Sequence, residues 1–242
     1  PVEANNQKLD VGKMLKDLVT NRALLGIIVA AILLLLAQLG MNGMAGYVYP
    51  NYYGSSAAQS AASLLGSVAM LVICAPLASK FAAKWGKKEM SSVSCIGGAI
   101  AFAVCLVVKP QNPYVYVGFS TLGMIAIGFF NMVIWAMITD VIDDAEVKNG
   151  IREDGTIYAV YSFARKVGQA LSSGMVGALL TIVGYSDATA FDPEVTSGIF
   201  TMSCVIPIIG FVAVALALIF IYPLTKSRVE ANVAELQSRL RK

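Results

Sequence analysis

Apolar residues fall in long uninterrupted blocks separated by short polar punctuation. No charged residue occurs between Arg22 and Lys80, and further uncharged runs cover 90–108, 110–139, 167–186 and 195–225. A membrane-crossing helix needs about 20 mostly apolar residues, so the first run is long enough for two crossings. Backbone N–H and C=O groups find no water in lipid, and these runs must therefore be helical. The pattern predicts an all-α membrane protein with six transmembrane helices, at about 23–49, 57–79, 90–108, 113–139, 156–184 and 197–224. Residues 1–22 read as a polar cytoplasmic linker. In 225–242, Val229, Val233, Leu236 and Leu240 recur at helical spacing among charges, which predicts an amphipathic cytoplasmic tail.

Composition supports a membrane class. The chain is 57% hydrophobic and 14% charged, where a soluble domain carries roughly a quarter charged residues. Placement of charge matters more than the net value of +3. Lys8, Lys13, Lys16 and Arg22 precede the first span; Lys80, Lys84, Lys87 and Lys88 separate the second from the third. Lys148 and Arg152 separate the fourth from the fifth, and Lys226, Arg228, Arg239, Arg241 and Lys242 follow the sixth. The positive-inside rule puts both termini in the cytoplasm, which requires an even number of spans. That topology accounts for the basic clusters without nucleic acid as a partner. The start at Pro1 has neither Met nor a signal-peptide pattern and reads as a cut or processed end.

With no His, and with Cys74, Cys95, Cys105 and Cys204 scattered through the spans, no metal site, disulfide or Cys-His nucleophile is expected. The cysteines read as small apolar fillers. No catalytic constellation appears, so an enzyme is not expected, and no cofactor is implied.

Polar residues inside the spans are few. Gln38 and Asn42 share a face of the first span, and Asn131 and Trp135 share a face of the fourth. Trp135 fits either an interfacial belt or a stacking platform for a ligand ring. Gln59, Ser60, Ser63, Gly66 and Ser67 in the second span suit close helix packing. The sixth span, nearly all apolar, reads as lipid-facing scaffold. The fifth carries a stripe of Ser162, Arg165 or Lys166, Gln169, and Ser172 or Ser173. A central cation in a membrane helix costs roughly 2.5–3.5 kcal/mol and usually marks a functional site. Arg165 and Lys166 lie about 15 Å inside the span by helix rise. That is a long reach for snorkelling, and it favours a cavity cation.

Asp140, Asp143, Asp144, Glu146, Lys148, Arg152, Glu153 and Asp154 form a dense charged segment, read as a loop between the fourth and fifth spans. Carboxylates at the end of a helix oppose its dipole and need compensation. Asp140, Asp143, Glu146 and Arg152, with Lys148 nearby, read as an ion-pair lock at the cytoplasmic mouth. Asp144, Glu153 and Asp154 read as solvated.

These residues resemble the glycoside–pentoside–hexuronide:cation symporters, the melibiose-carrier group of the major facilitator superfamily. The anchors are Asp140-x-x-Asp143-x-x-Glu146-x-Lys148, Arg152, and Lys166 fourteen residues later, with Lys13 to Arg22 similar to the segment before that family's seventh helix. The resemblance covers nearly the whole chain. It implies one half of a major-facilitator-type fold, namely the C-terminal half of a twelve-helix carrier in the bacterial plasma membrane. It implies symport of a sugar or glycoside with H+ or Na+ by alternating access. A cavity cation role passes to Lys166, and a cytoplasmic charged network to Asp140, Asp143, Glu146 and Arg152. Tyr161, Ser162 and Arg165 fall where the melibiose carrier has polar or small cavity residues, and Asn131 falls where it has a Trp. The family's main sugar- and cation-binding acids belong to the other half. An N-terminal six-helix half or a second copy is therefore the expected partner, along with sugar and membrane lipid. The alternative is a non-transporting membrane subunit or sensor that keeps the six-helix fold for assembly.

Overall fold

The computed structural model describes residues 19–240, together with Gly12 and Lys16. Most of the expected 1–22 linker, and Arg241 and Lys242, lie outside the described residues. Among the described residues there are long helices and no strand. Six helices have the length of a span: α1 (Arg22–Tyr52), α2 (Ser56–Trp85), α3 (Lys87–Val108), α4 (Pro113–Asn149), α5 (Asp154–Ile182) and α6 (Pro193–Ile221). A seventh, α7 (Lys226–Leu240), follows the last of them. Five of the six are apolar enough to cross a membrane; α5 is as long but falls outside that set.

Local chemistry explains the boundaries. Asn21 caps α1, its side-chain oxygen accepting from the N–H groups of Ala23 and Leu24, each at 3.1 Å. Ser55 caps α2 and Asn112 caps α4 in the same way. Near its end α1 widens over Val48–Tyr52, where the Tyr53 N–H reaches back to the Val48 carbonyl at 3.1 Å. Pro50 has no N–H to give a regular turn there. A similar wide turn, Met70–Cys74, precedes Pro76 in α2. Gly150 ends α4 with φ +74, a conformation costly for other residues, its N–H on the Glu146 carbonyl.

The fourth helix corrects the charged loop expected after residue 139, because it stays helical through Asn149. At 37 residues it is about 55 Å long, against roughly 30 Å of hydrocarbon. Its charged last turns therefore project beyond the membrane, where partners from α3 and α7 offset their unfavourable position on the helix dipole.

The helix α1 is the hub, packed against α6, α5 and α4. Gly26 lets it meet the chain after α6 closely: a Cβ there would sit 2.7 Å from the Tyr222 Cα. A sixth span that only faced lipid is corrected too, since Ile199, Phe200, Cys204, Phe211 and Val214 of α6 are buried and the helix packs on α1 and α3. All four cysteines are buried.

The two ends of the bundle differ. At one, the Arg22 guanidinium donates to the Phe220 and Ile221 carbonyls, Lys88 to the Tyr222 carbonyl at 2.7 Å, and Lys226 to the Lys84 carbonyl at 3.2 Å. The described start of the chain and its last helix thus share this end. At the other, rings of Tyr49, Tyr52, Tyr53, Tyr116 and Phe200 pack with centroids 4.8–6.4 Å apart.

Candidate functional site

The polar stripe of α5 is exposed, and Arg165 at its edge reaches Trp135 of α4. Ile157, Ala164, Gly168 and Ser172 are buried, and the helix packs far more on α1 than on α4. Trp135 of α4 meets α5 through its ring. Its ring stacks on Tyr158 at 6.2 Å and meets Tyr161 edge-on at 5.3 Å. The Arg165 guanidinium carbon lies 5.9 Å from the Trp135 ring centre and 5.9 Å from that of Tyr161. Its Nη1 donates to the Tyr161 hydroxyl at 3.4 Å. Trp135 remains 49% exposed.

Ser162, Lys166 and Gln169 are exposed beside this cluster. Lys166 forms no ion pair or hydrogen bond among the described residues. Of the two alternatives for the end of the stripe, Ser172 is buried, its hydroxyl donating to the Gly168 carbonyl at 2.8 Å, and Ser173 is the exposed one. Below the ring cluster, Asn131 donates to the Gln38 side-chain oxygen at 3.4 Å, joining α4 to α1. Asn42 is not brought to this cluster. It lines a separate cleft of about 330 Å³ between α1, α2 and α4, with Gln59, Ser63, Ser67 and Ser120. Sharing a helical face with Gln38 was not enough to predict that division, which depends on where α2 packs.

The charged segment resolves into three clusters rather than one lock. Lys87 of α3 holds both carboxylate oxygens of Asp140, at 2.7 and 2.6 Å; Arg152 does not contact Asp140. Arg152 instead pairs with Asp143 at 2.9 Å, Glu146 at 2.8 Å and Asp154 at 3.1 Å. Its guanidinium pKa is raised further above its ordinary value, chiefly by the Glu146 carboxylate and then by Asp143. The third cluster overturns the solvated reading of Asp144. Its side chain is 1% exposed and accepts from Lys148, from Asn232 at 3.1 Å and from Arg228 at 3.3 Å. Lys148 is thus committed to Asp144 and stands apart from Arg152. The readable signal was on the tail, where Arg228 and Asn232 stand four residues apart on one helical face.

Among the described residues no group of His, Cys, Asp or Glu is gathered to hold a metal. Trp135, Tyr161 and Arg165 together offer ring stacking, hydrogen bonding and positive charge.

The sequence pattern of the MFS/sugar transport protein family matches residues 2–226, and the chain belongs to that family. It is 27% identical to the uncharacterized symporter YjmB of Bacillus subtilis (strain 168), across 98% of this chain and 51% of that protein. It is 26% identical to the glucuronide carrier protein homolog of Escherichia coli (strain K12), across 93% of this chain and 49% of that one. The chain spans about half the length of these relatives. The family is one of transporters rather than enzymes, and the chain is a multi-pass integral membrane protein.

Proposed function

We propose that this chain forms one half of a secondary transporter that moves a sugar or glycoside in symport with H+ or Na+ by alternating access. The observation that carries the reading is the α4–α5 ring cluster, where Trp135, Tyr161 and Arg165 meet about 17 Å along α5, with Lys166 exposed next in sequence. A lipid-facing surface would not tolerate two adjacent cations there. This face supplies one wall of a cavity, and a second six-helix half supplies the other. Stretches 23–79, 90–108, 110–139, 167–186 and 195–225 contain no acid, so an acidic ligand for the coupling ion within the membrane belongs to the other half.

In this scheme the basic end of the bundle faces the cytoplasm, and both ends of the chain lie there. The Lys87–Asp140 pair and the Arg152 cluster act as gate elements that hold one of two states and release in the other. Sugar enters the cavity, rests its apolar ring face on Trp135, and exchanges water hydrogen bonds for those of Gln169, Ser162 and Asn131.

The test is accumulation of labelled sugar by proteoliposomes containing the complete carrier, driven by an imposed H+ or Na+ gradient. Uptake should collapse in Lys166→Ala. Uptake equal to wild type in that variant refutes the assigned site, and no accumulation of any sugar under either gradient refutes the transport reading.

A further inference from the structure

Between α3 and α6 an apolar groove of about 300 Å³ opens at the surface. Its lining residues, from Ile96 to Ala103 on α3 and from Ile208 to Ile219 on α6, are all Ile, Val, Leu or Ala. Ile100 and Leu216 on its walls are 60% and 48% exposed. Along α6 the lining covers eleven steps, about 16 Å by helix rise, which matches the hydrocarbon depth of one leaflet, about 15 Å.

Positive charge gathers where the groove ends at Ile219. The Ile219 carbonyl accepts from the Lys88 ammonium at 3.4 Å, and the Tyr222 carbonyl accepts from the same group at 2.7 Å. Arg22 donates to the two carbonyls between them, those of Phe220 and Ile221. Two cations from α1 and α3 thus flank the last turn of α6, where the helix dipole favours them. Capping that turn fixes their place without neutralising them. Neither forms an ion pair among the described residues. Glu89, next to Lys88 in sequence, turns a carboxylate oxygen to Gly86 instead. The carbonyls engage two of the three Lys88 donors and two of the five on Arg22, so N–H groups remain for an oxyanion.

We propose that this groove binds an anionic phospholipid of the cytoplasmic leaflet, one acyl chain lying between α3 and α6 and the phosphate accepting from Lys88 and Arg22. An apolar slot one leaflet deep that ends on two uncompensated cations fits an amphiphile with a negative head. A zwitterionic head would bring its own ammonium against the same two cations. The bound lipid joins α1, α3 and α6 at the basic end of the bundle. The choice of leaflet rests on the cytoplasmic placement of that end in the reading above; the site itself does not depend on transport.

Native mass spectrometry tests this on the complete carrier in detergent, titrated with dioleoyl phosphatidylglycerol or dioleoyl phosphatidylcholine. Wild type should hold the glycerol lipid about 10- to 100-fold more tightly than the choline lipid, the range of charge-assisted contacts. The Arg22→Gln, Lys88→Gln double variant should bring the ratio near one. Lys80→Gln, at an exposed cation of the preceding helix, should leave the ratio within twofold of wild type. Ala103→Phe fills the slot away from the cations and should weaken both lipids several-fold. Equal affinity of wild type for the two lipids overturns the proposal. So does a fall in preference for Lys80→Gln as large as for the double variant, because the attraction is then diffuse. Unchanged binding in Ala103→Phe refutes the acyl slot, and a wild-type dimer that this variant dissociates gives the groove to a second copy instead. Should the double variant fail to insert, Lys88→Gln alone decides, and an unchanged preference refutes the anchor. Failure of sugar uptake touches none of these outcomes.

Discussion

Replacing Asp144 with Ala should release the tail helix α7 from the end of the bundle while leaving the membrane helices in place. The Asp144 side chain joins Lys148, Arg228 and Asn232. The three donors fare differently once the carboxylate is gone. Lys148 and Arg228 are 46% and 45% exposed, so water replaces their partner and each contributes about 0–1 kcal/mol. Asn232 is 8% exposed and is left without its acceptor, a loss of about 1.5–3 kcal/mol for a bond to a charged group. Against this, removing a buried carboxylate at a helix C-terminus relieves an unfavourable dipole contact of a few tenths to about 1 kcal/mol. The net is about 1.5–3 kcal/mol, or roughly a 10- to 150-fold larger open population of α7. Native-state hydrogen exchange in detergent reads this directly, as faster exchange of amides in 226–240 with amides of α1 unchanged. Asp144→Asn keeps an acceptor for Asn232 and should fall between wild type and Asp144→Ala. Arg228→Gln should have the smallest effect of the set. Exchange in α7 within twofold of wild type, or a larger effect from Arg228→Gln than from Asp144→Ala, would refute the assignment of Asp144 as the latch.

Gly26→Ala should destabilise the bundle by about 1–3 kcal/mol, because its Cβ meets the Tyr222 backbone at 2.7 Å. Gly46→Ala, which meets nothing within 4 Å, is the matched control, and melting in detergent separates them. Neutralising Asp140 or Arg152 should shift the balance between inward- and outward-open states; equal labelling of single-cysteine reporters at both faces, before and after, counts against a gate at these pairs. Trp135→Phe should preserve most of the stacking on Tyr158 and hence most sugar affinity, whereas Trp135→Ala should cost an aromatic contact of about 0.5–1.5 kcal/mol, measured as a several-fold rise in half-saturating sugar.

Helices were the most legible part of this chain, because long uncharged runs leave the backbone no alternative in lipid. The end of α4 was not legible, for a definite reason. Asp140 and Asp144 near a helix terminus argue locally for a loop, and what rescues the helix comes from Lys87, some 53 positions away, and Asn232, 88 away. Pairings at that separation leave no periodic trace. The candidate site was half legible. Steps of three and four put Ser162, Lys166 and Gln169 on one face, and the structure leaves all three exposed. Tyr158 escaped notice, since an aromatic residue in a membrane helix carries no signal that it will stack on Trp135. Gln38 and Asn42 share a helix face, yet α2 and α4 send them to different neighbours.

The two ends of the bundle are made of different materials. One is knit by contacts between rings, which dissolved salt hardly touches. The other is knit by ion pairs, several of them half-exposed, within reach of a Debye length of about 8–10 Å at ordinary ionic strength. Salt added to the medium on that side should soften one mouth and leave the other stiff. A vesicle with unequal salt inside and out would then tell which way the bundle is mounted, from the direction in which salt loosens it.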